Sequence, residues 1–264
     1  SLPSCIFSLF GSAAIMGAYF LSGTRRPGRR LLLSLSVADF FTALVYLPTA
    51  FVSHLEKHSS WCRAQALLGV YFPMASFLWT DVVAYYLFMI LFNRHSGASH
   101  KTVFVWFHVV CWGLPLVVVA IVQAFGAEGF ESAAQNSANS GGWCWVHANS
   151  RGDLIMWELI AGKAVEWLSA GVLVPILYAL SFRRLRSMRA AWEREARASA
   201  RIEKLQTAPS PTPTSGNSGR VRLSAFNLKL LAVPIVFVFL RIWGTIRIII
   251  YYFNFPTNAP SWWV

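Results

Sequence analysis

Charge is scarce in this chain. Only 13% of its 264 residues are Asp, Glu, Lys or Arg, and 56% are apolar. A soluble domain carries about a quarter charged residues, so a soluble globular protein is excluded. The patterns that carry chemistry are also missing: no nucleophile–base pairing, no metal-ligand spacing, no phosphate loop and no dinucleotide fingerprint. The sequence therefore implies neither an enzyme nor a cofactor, and its six His read as loop or interface residues. No internal repeat is found, which weighs against an inverted-repeat transporter. The opening SLPSCIF lacks a basic leader and a cleavage site, so the chain is expected to start inside or just outside a membrane helix.

What is present is long apolar runs. Twelve Trp and twenty Phe suit lipid-facing and interfacial positions. The run from Cys62 to Arg94 organises the rest. Between Gln65 and Phe92 its one charge is Asp81. At about 1.5 Å per residue it is about 50 Å long, more than a hydrocarbon core of about 30 Å, which predicts a tilted transmembrane helix. A lone carboxyl in such a helix should face other helices, so this is the expected centre of a bundle.

The other runs are expected at about 2–21, 31–52, 103–125, 154–182 and 225–253. The first is rich in small residues (Gly11, Ser12, Ala13, Ala14, Gly17), which lets membrane helices approach closely. Pro115, Pro175 and Pro234 fall inside spans and are expected to kink them. Trp262-Trp263-Val264 reads as the first turn of a further helix. The predicted fold is an all-α membrane protein: a seven-transmembrane helix bundle, six helices complete and the seventh cut off near Val264.

Lys and Arg orient it. The loops after spans one, three and five hold four, two and ten of them, and the intervening loops hold three (Lys57, Arg63, Arg151). By the positive-inside rule the amino terminus and Cys62 lie outside. The net charge of +12 thus reports topology and an anionic membrane face rather than nucleic acid. Three regions follow. Residues 1–182 carry spans one to five. Residues 183–222 form a basic cytoplasmic loop, helical to about Leu205 and then a Pro/Ser/Thr/Gly linker. Residues 223–264 carry span six and the start of span seven.

Few residues inside the spans are ionisable. Cys62 and Cys144 both sit at the outer face, where a disulfide would pin the loop between spans four and five; the other reading is two free thiols. Asp39 and Asp81 lie about 14 and 20 Å from the cytoplasmic side, so both are in reach of one inner polar cluster. That cluster is either a switch, binding a cation or a proton, or a pair of carboxyls that lock packing. In the outer half, Lys163, Arg241 and Arg247 are expected to form a cationic ligand pocket, with Trp79, Trp167 and Trp243 as aromatic walls. Glu166 and Arg241 fall at similar depth and are candidates for an ion pair; the other reading is an internal salt-bridge network.

The order of spans, Cys62 and Cys144, and RRLLLSLSVADFFTA resemble a G-protein-coupled receptor, and FLWTDVVAYYL, HVVCWGLPLVV, GWCWV, WELIAGKAVEW and LRIWGTIRIII resemble more narrowly the cyclic-AMP-receptor-like family of these receptors. The family is known from slime moulds and has plant, algal and vertebrate orphan relatives, and the likeness is especially close to a vertebrate orphan member found in primary cilia. The resemblance implies a seven-helix receptor in the plasma membrane, with the ciliary membrane admitted, that binds an extracellular small molecule and acts on a heterotrimeric G protein. Cys62 and Cys144 match the family's outer disulfide and Asp39 its helix-two acid. Asn93-Arg94 stands where the rhodopsin-like class has Asp-Arg-Tyr, so ionic-lock arguments do not transfer. Asn93, Arg94, Arg183, Arg184 and Arg186 are then the residues expected to face the G protein. The basic stretch from Arg183 also suits anionic lipid or calmodulin. An anionic ligand is compatible with the expected cationic pocket. The rival readings are a transporter or channel using the intramembrane charges, and a retinal photoreceptor, for which the missing seventh helix would have to supply the lysine.

Overall fold

The computed structural model describes residues 2–21, 27–50, 60–92, 100–130, 144–146 and 151–205. Span six, with Arg241, Trp243 and Arg247, lies outside the described residues, as do Asn93 and Arg94.

Helix α1 (Leu2–Leu21) packs on α2 (Pro27–Tyr46), which ends in a 3₁₀ turn at Leu47–Ala50. Pro27 opens α2, where a missing N–H breaks no helical bond. The small residues of α1 face few of the described residues. Of the five only Ser12 is buried, and a Cβ added at Gly11 or Gly17 would meet nothing within 4 Å among the described residues. Their face, with Phe7 and Phe10 beside it, is turned outward.

The long run through Asp81 is indeed one helix, α3 (Ser60–Leu91), of 32 residues. It spans about 48 Å and touches α2, α4 (His100–Ala124) and the fifth span. Its burial shows its place: 56% of its apolar window is covered, against 17% for α4. Val105, Trp106, Leu116 and Val117 of α4 stay exposed, as suits a helix bathed in lipid. By length and apolarity Ser60–Leu91, Thr102–Ala124 and the fifth span can each cross a membrane, and Cys5–Leu21 is a shorter apolar helix.

The polar loop after α4 is more ordered near its ends than its composition suggests. Strands β1 (Glu128–Phe130) and β2 (Cys144–Val146) pair antiparallel, with Phe130 opposite Cys144. Cys144 and Val146 point inward and are fully buried.

The fifth span is not a uniform helix. It runs as α5 (Arg151–Glu158), a π-helical segment Leu159–Lys163, the single turn α6 (Ala164–Glu166), a second π-helical segment Trp167–Leu173, and α7 (Val174–Leu205). The N–H of Ala164 reaches back to the carbonyl of Leu159, and that of Val174 to Ser169, five residues in each case. Gly162 breaks the winding outright with φ 137° and ψ −11°, a conformation that favours glycine. Pro175 lacks an N–H to close its α-helical turn, and the wider winding occupies the residues just ahead of it. α7 then continues without interruption to Leu205.

Four patches of core follow the length of α3. Cys62 and Ala66 meet Cys144 near the start of α3. Val70 packs with Val122, Val146 and Ala161. Ala75, Trp79 and Val83 pack with Leu31, Leu35, Ala38 and Cys111. Leu87 and Leu91 meet Leu185 near the end of α3.

Candidate functional site

The break at Gly162 opens a cavity of about 80 Å³ between α2, α3 and the fifth span. Pro73, Met74 and Phe77 of α3 form its apolar wall, and Tyr46 closes the α2 side. Opposite them stand Gly162, Lys163 and Glu166. Lys163 Nζ donates to Glu166 Oε2 at 2.8 Å, and the Glu166 side chain is 3% exposed against 17% for Lys163. Residues three apart on a helix share a face, so both charged heads reach the same wall. The Tyr46 hydroxyl donates to the carbonyl of Gly69 at 3.3 Å and so ties α2 to α3 beside the cavity.

The outer rim is held covalently. Cys62 and Cys144 form a disulfide with Cα atoms 5.3 Å apart, which ties α3 to β2 across 82 residues. One turn further along α3, Gln65 is 2% exposed and bridges two elements. Its amide nitrogen donates to the carbonyl of Val45 at 3.0 Å, and its oxygen accepts from the N–H of Cys144 at 3.3 Å.

Below the cavity α3 carries two hydroxyl–carboxyl contacts on different faces. Ser76 Oγ donates to Asp39 Oδ1 at 2.5 Å, joining α3 to α2. Ser169 Oγ, in the second π segment, donates to Asp81 Oδ1 at 2.7 Å, joining the fifth span to α3. Ser76 and Asp81 are five residues apart, about 140° around the helix. The two acids therefore serve different helix pairs.

Comparison with known proteins shows what this arrangement belongs to. Residues 29–253 match the family described as "7 transmembrane receptor (Secretin family)". The chain belongs to the seven-transmembrane receptors. G-protein coupled receptor 157 of Homo sapiens is 32% identical over 256 residues, covering 94% of this chain and 68% of that protein. Cyclic AMP receptor-like protein A of Dictyostelium discoideum is 29% identical over 144 residues, covering 54% of this chain and 35% of that protein. G-protein coupled receptor 1 of Arabidopsis thaliana is 28% identical over 167 residues, covering 61% of this chain and 42% of that protein. In fold it is similar to squid rhodopsin, with a TM-score of 0.59 at 15% identity over 90% of this chain and 65% of that one.

Of the residues singled out by sequence, the receptor brings Lys163 and Glu166 together at the cavity and joins Cys62 to Cys144. Trp79 lies elsewhere. It is fully buried among α2, α3 and α4, its ring 4.8 Å from His108 and 6.0 Å from Trp112. Trp79 follows Phe77 by two residues, about 200° around the helix, so it points away from the cavity that Phe77 lines. Trp167 is half-buried and is not among the cavity's lining residues; its indole N–H is buried without a partner among the described residues. Arg183, Arg184 and Arg186 are exposed on α7. The Arg184 guanidinium lies 5.8 Å from the ring centre of Phe92, and that of Arg186 lies 4.2 Å from Phe182.

Sequence reasoning missed Gly162, Gln65, Met74, Ser76 and Ser169. Only Gly162 left a usable signal, a glycine next to Lys163 in the middle of an apolar span.

Proposed function

We propose that this receptor binds a small polar molecule from outside the cell and passes the signal to a heterotrimeric G protein by moving helices five and six. One observation carries the reading: a single rod joins the cavity to the basic inner face. Lys163 and Arg183 are twenty residues apart on the fifth span, about 30 Å. Between them lies a π-helical segment whose Ser169 is bonded to Asp81 of α3. A ligand that alters the Lys163–Glu166 wall therefore has a mechanical path to Arg183, Arg184 and Arg186. For the shift to occur, the ligand must bind the active arrangement better than the inactive one.

The distribution of Lys and Arg supports an orientation with the amino terminus outside, as a plasma-membrane receptor would have. The same inner cations suit anionic lipid headgroups beside the G protein. The test is nucleotide exchange on several G proteins, using full-length receptor in membranes with a panel of small anions, cyclic nucleotides and zwitterions. The expected result is exchange that depends on the receptor and changes with one of these molecules. No exchange with any G protein, together with solute flux in sealed liposomes, would overturn the reading in favour of a transporter.

A further inference from the structure

We infer that the extension of α7 from Arg189 to Leu205 is a docking helix for an acidic calcium sensor of the calmodulin type, which closes around it when loaded with calcium. This rests on the proposed orientation, with the basic loops inside the cell.

The extension is a rod. α7 runs as one helix from Val174 to Leu205, so it carries the line of the fifth span beyond the expected membrane boundary near Phe182. From Arg189 to Leu205 it is about 25 Å long. Its root is packed, with Leu185 and Met188 against Leu87 and Leu91 of α3. Beyond the root, every described side chain from Arg189 to Ala198 is exposed. Glu193 and Arg197 pair there at 3.8 Å, but their side chains are 69% and 83% exposed, and such a pair contributes little. Helices in proteins take most of their stability from packing an amphipathic face. Here that face is left for a partner.

The residue pattern says which partner. At 100° per residue, Leu185, Met188, Trp192 and Ile202 fall within about 100° of one another. Arg189, Arg194, Arg197, Arg201 and Lys204 take the other side. From Arg183 to Leu205 there are eight Lys and Arg against three Glu, which calls for an acidic surface. Glu195 interrupts the apolar side. It leaves Trp192 and the turn Ile202–Leu205 as two anchors about 15 Å apart. Calcium opens Met-rich grooves in sensors of this type, and the grooves take the apolar anchors of a basic helix. A clasp covers the apolar and the basic side together. A lipid surface instead takes an amphipathic helix lying in its plane, whereas this one continues a membrane span.

The experiment uses full-length receptor in nanodiscs of neutral lipid, with fluorescently labelled calmodulin as the probe. Nanodiscs leave both membrane faces open, so binding there does not depend on orientation. One calmodulin per receptor is expected to bind in calcium and to leave when calcium is chelated. Trp192→Glu should weaken binding by about tenfold or more. Arg194→Glu with Arg197→Glu should weaken it too, most at low salt. The comparison of calcium with chelator on the unaltered receptor needs no variant to fold. No binding, binding that calcium does not change, or binding that Trp192→Glu leaves intact would each overturn the inference. Protection of this stretch from trypsin by phosphatidylserine nanodiscs alone would assign it to lipid, and protection by a G protein alone would assign it to the G protein. Orientation is read separately, with an impermeant maleimide on Ser187→Cys in intact cells. Labelling above that of the unaltered receptor would put the helix outside the cell and overturn the orientation, even where binding in nanodiscs holds.

Discussion

Replacing Gly162 with Ala puts the break in the fifth span to a direct test. The residue sits at φ 137° and ψ −11°, outside the regions open to side chains with a Cβ. Holding Ala there costs about 1–3 kcal/mol. Crowding is not the reason. The new Cβ would meet Met74 Cε at 3.6 Å, an ordinary contact, and burying a methyl there contributes about 0.8 kcal/mol in the favourable direction. Backbone strain wins, for a net loss of about 1–2 kcal/mol and a fall in melting temperature of roughly 2–8 °C. The assay is thermal unfolding of the ligand-free receptor in nanodiscs, with nucleotide exchange measured alongside. If the span relieves the strain by rewinding as an α-helix, Lys163 and Glu166 rotate away from the cavity and the ligand response falls instead. Two results would refute the reasoning. One is unchanged stability together with an unchanged ligand response. The other is full rescue by Met74→Ala, which would make crowding the cause.

Three further outcomes are expected. Gln65→Met should destabilise the receptor by about 1–3 kcal/mol, because the Val45 carbonyl and the Cys144 N–H both lose a buried partner; thermal unfolding reads this directly. Cys62→Ser and Cys144→Ser should each lose about 4.5 kcal/mol at most by loop entropy, and the double variant should lose no more than either single one; non-reducing mass mapping and cell-surface expression check this. Asp81→Asn and Ser169→Ala should each raise ligand-independent nucleotide exchange. In a double-mutant cycle their coupling should be about 1 kcal/mol, the scale of interhelical hydrogen bonds in membranes.

Much of the architecture is legible in the sequence. Apolar runs of a length set by the bilayer mark the spans, and α3 begins within two residues of its expected outer start. Burial also bears out its central place. Such features depend on composition along one segment, which is local information. Cys62 and Cys144 are legible for a similar reason, since their positions relative to the spans put both at the same membrane face.

Facing is not legible. Apolar residues cover every side of a membrane helix, so periodicity does not separate lipid from core. Trp79 is therefore expected at a pocket wall and lies instead against His108 and Trp112. Asp39 and Asp81 are expected within reach of one cluster, but the rotation of α3 sends one to Ser76 and lets the other meet Ser169. Serine and glutamine carry no net charge and escape a search for intramembrane charges, so Gln65, Ser76 and Ser169 leave no trace of their partners.

The sequence by itself determined that this chain lies in a membrane, how its spans are ordered, and which few charges lie within them, because the thickness and low polarity of the bilayer act on each segment separately. Only the tertiary structure decided which of those charges meet. A glycine at φ 137° and two π-helical segments turn the fifth span, and with it Lys163 and Glu166, onto the wall opposite Met74. That rotation is set by packing against α3, which no single segment encodes.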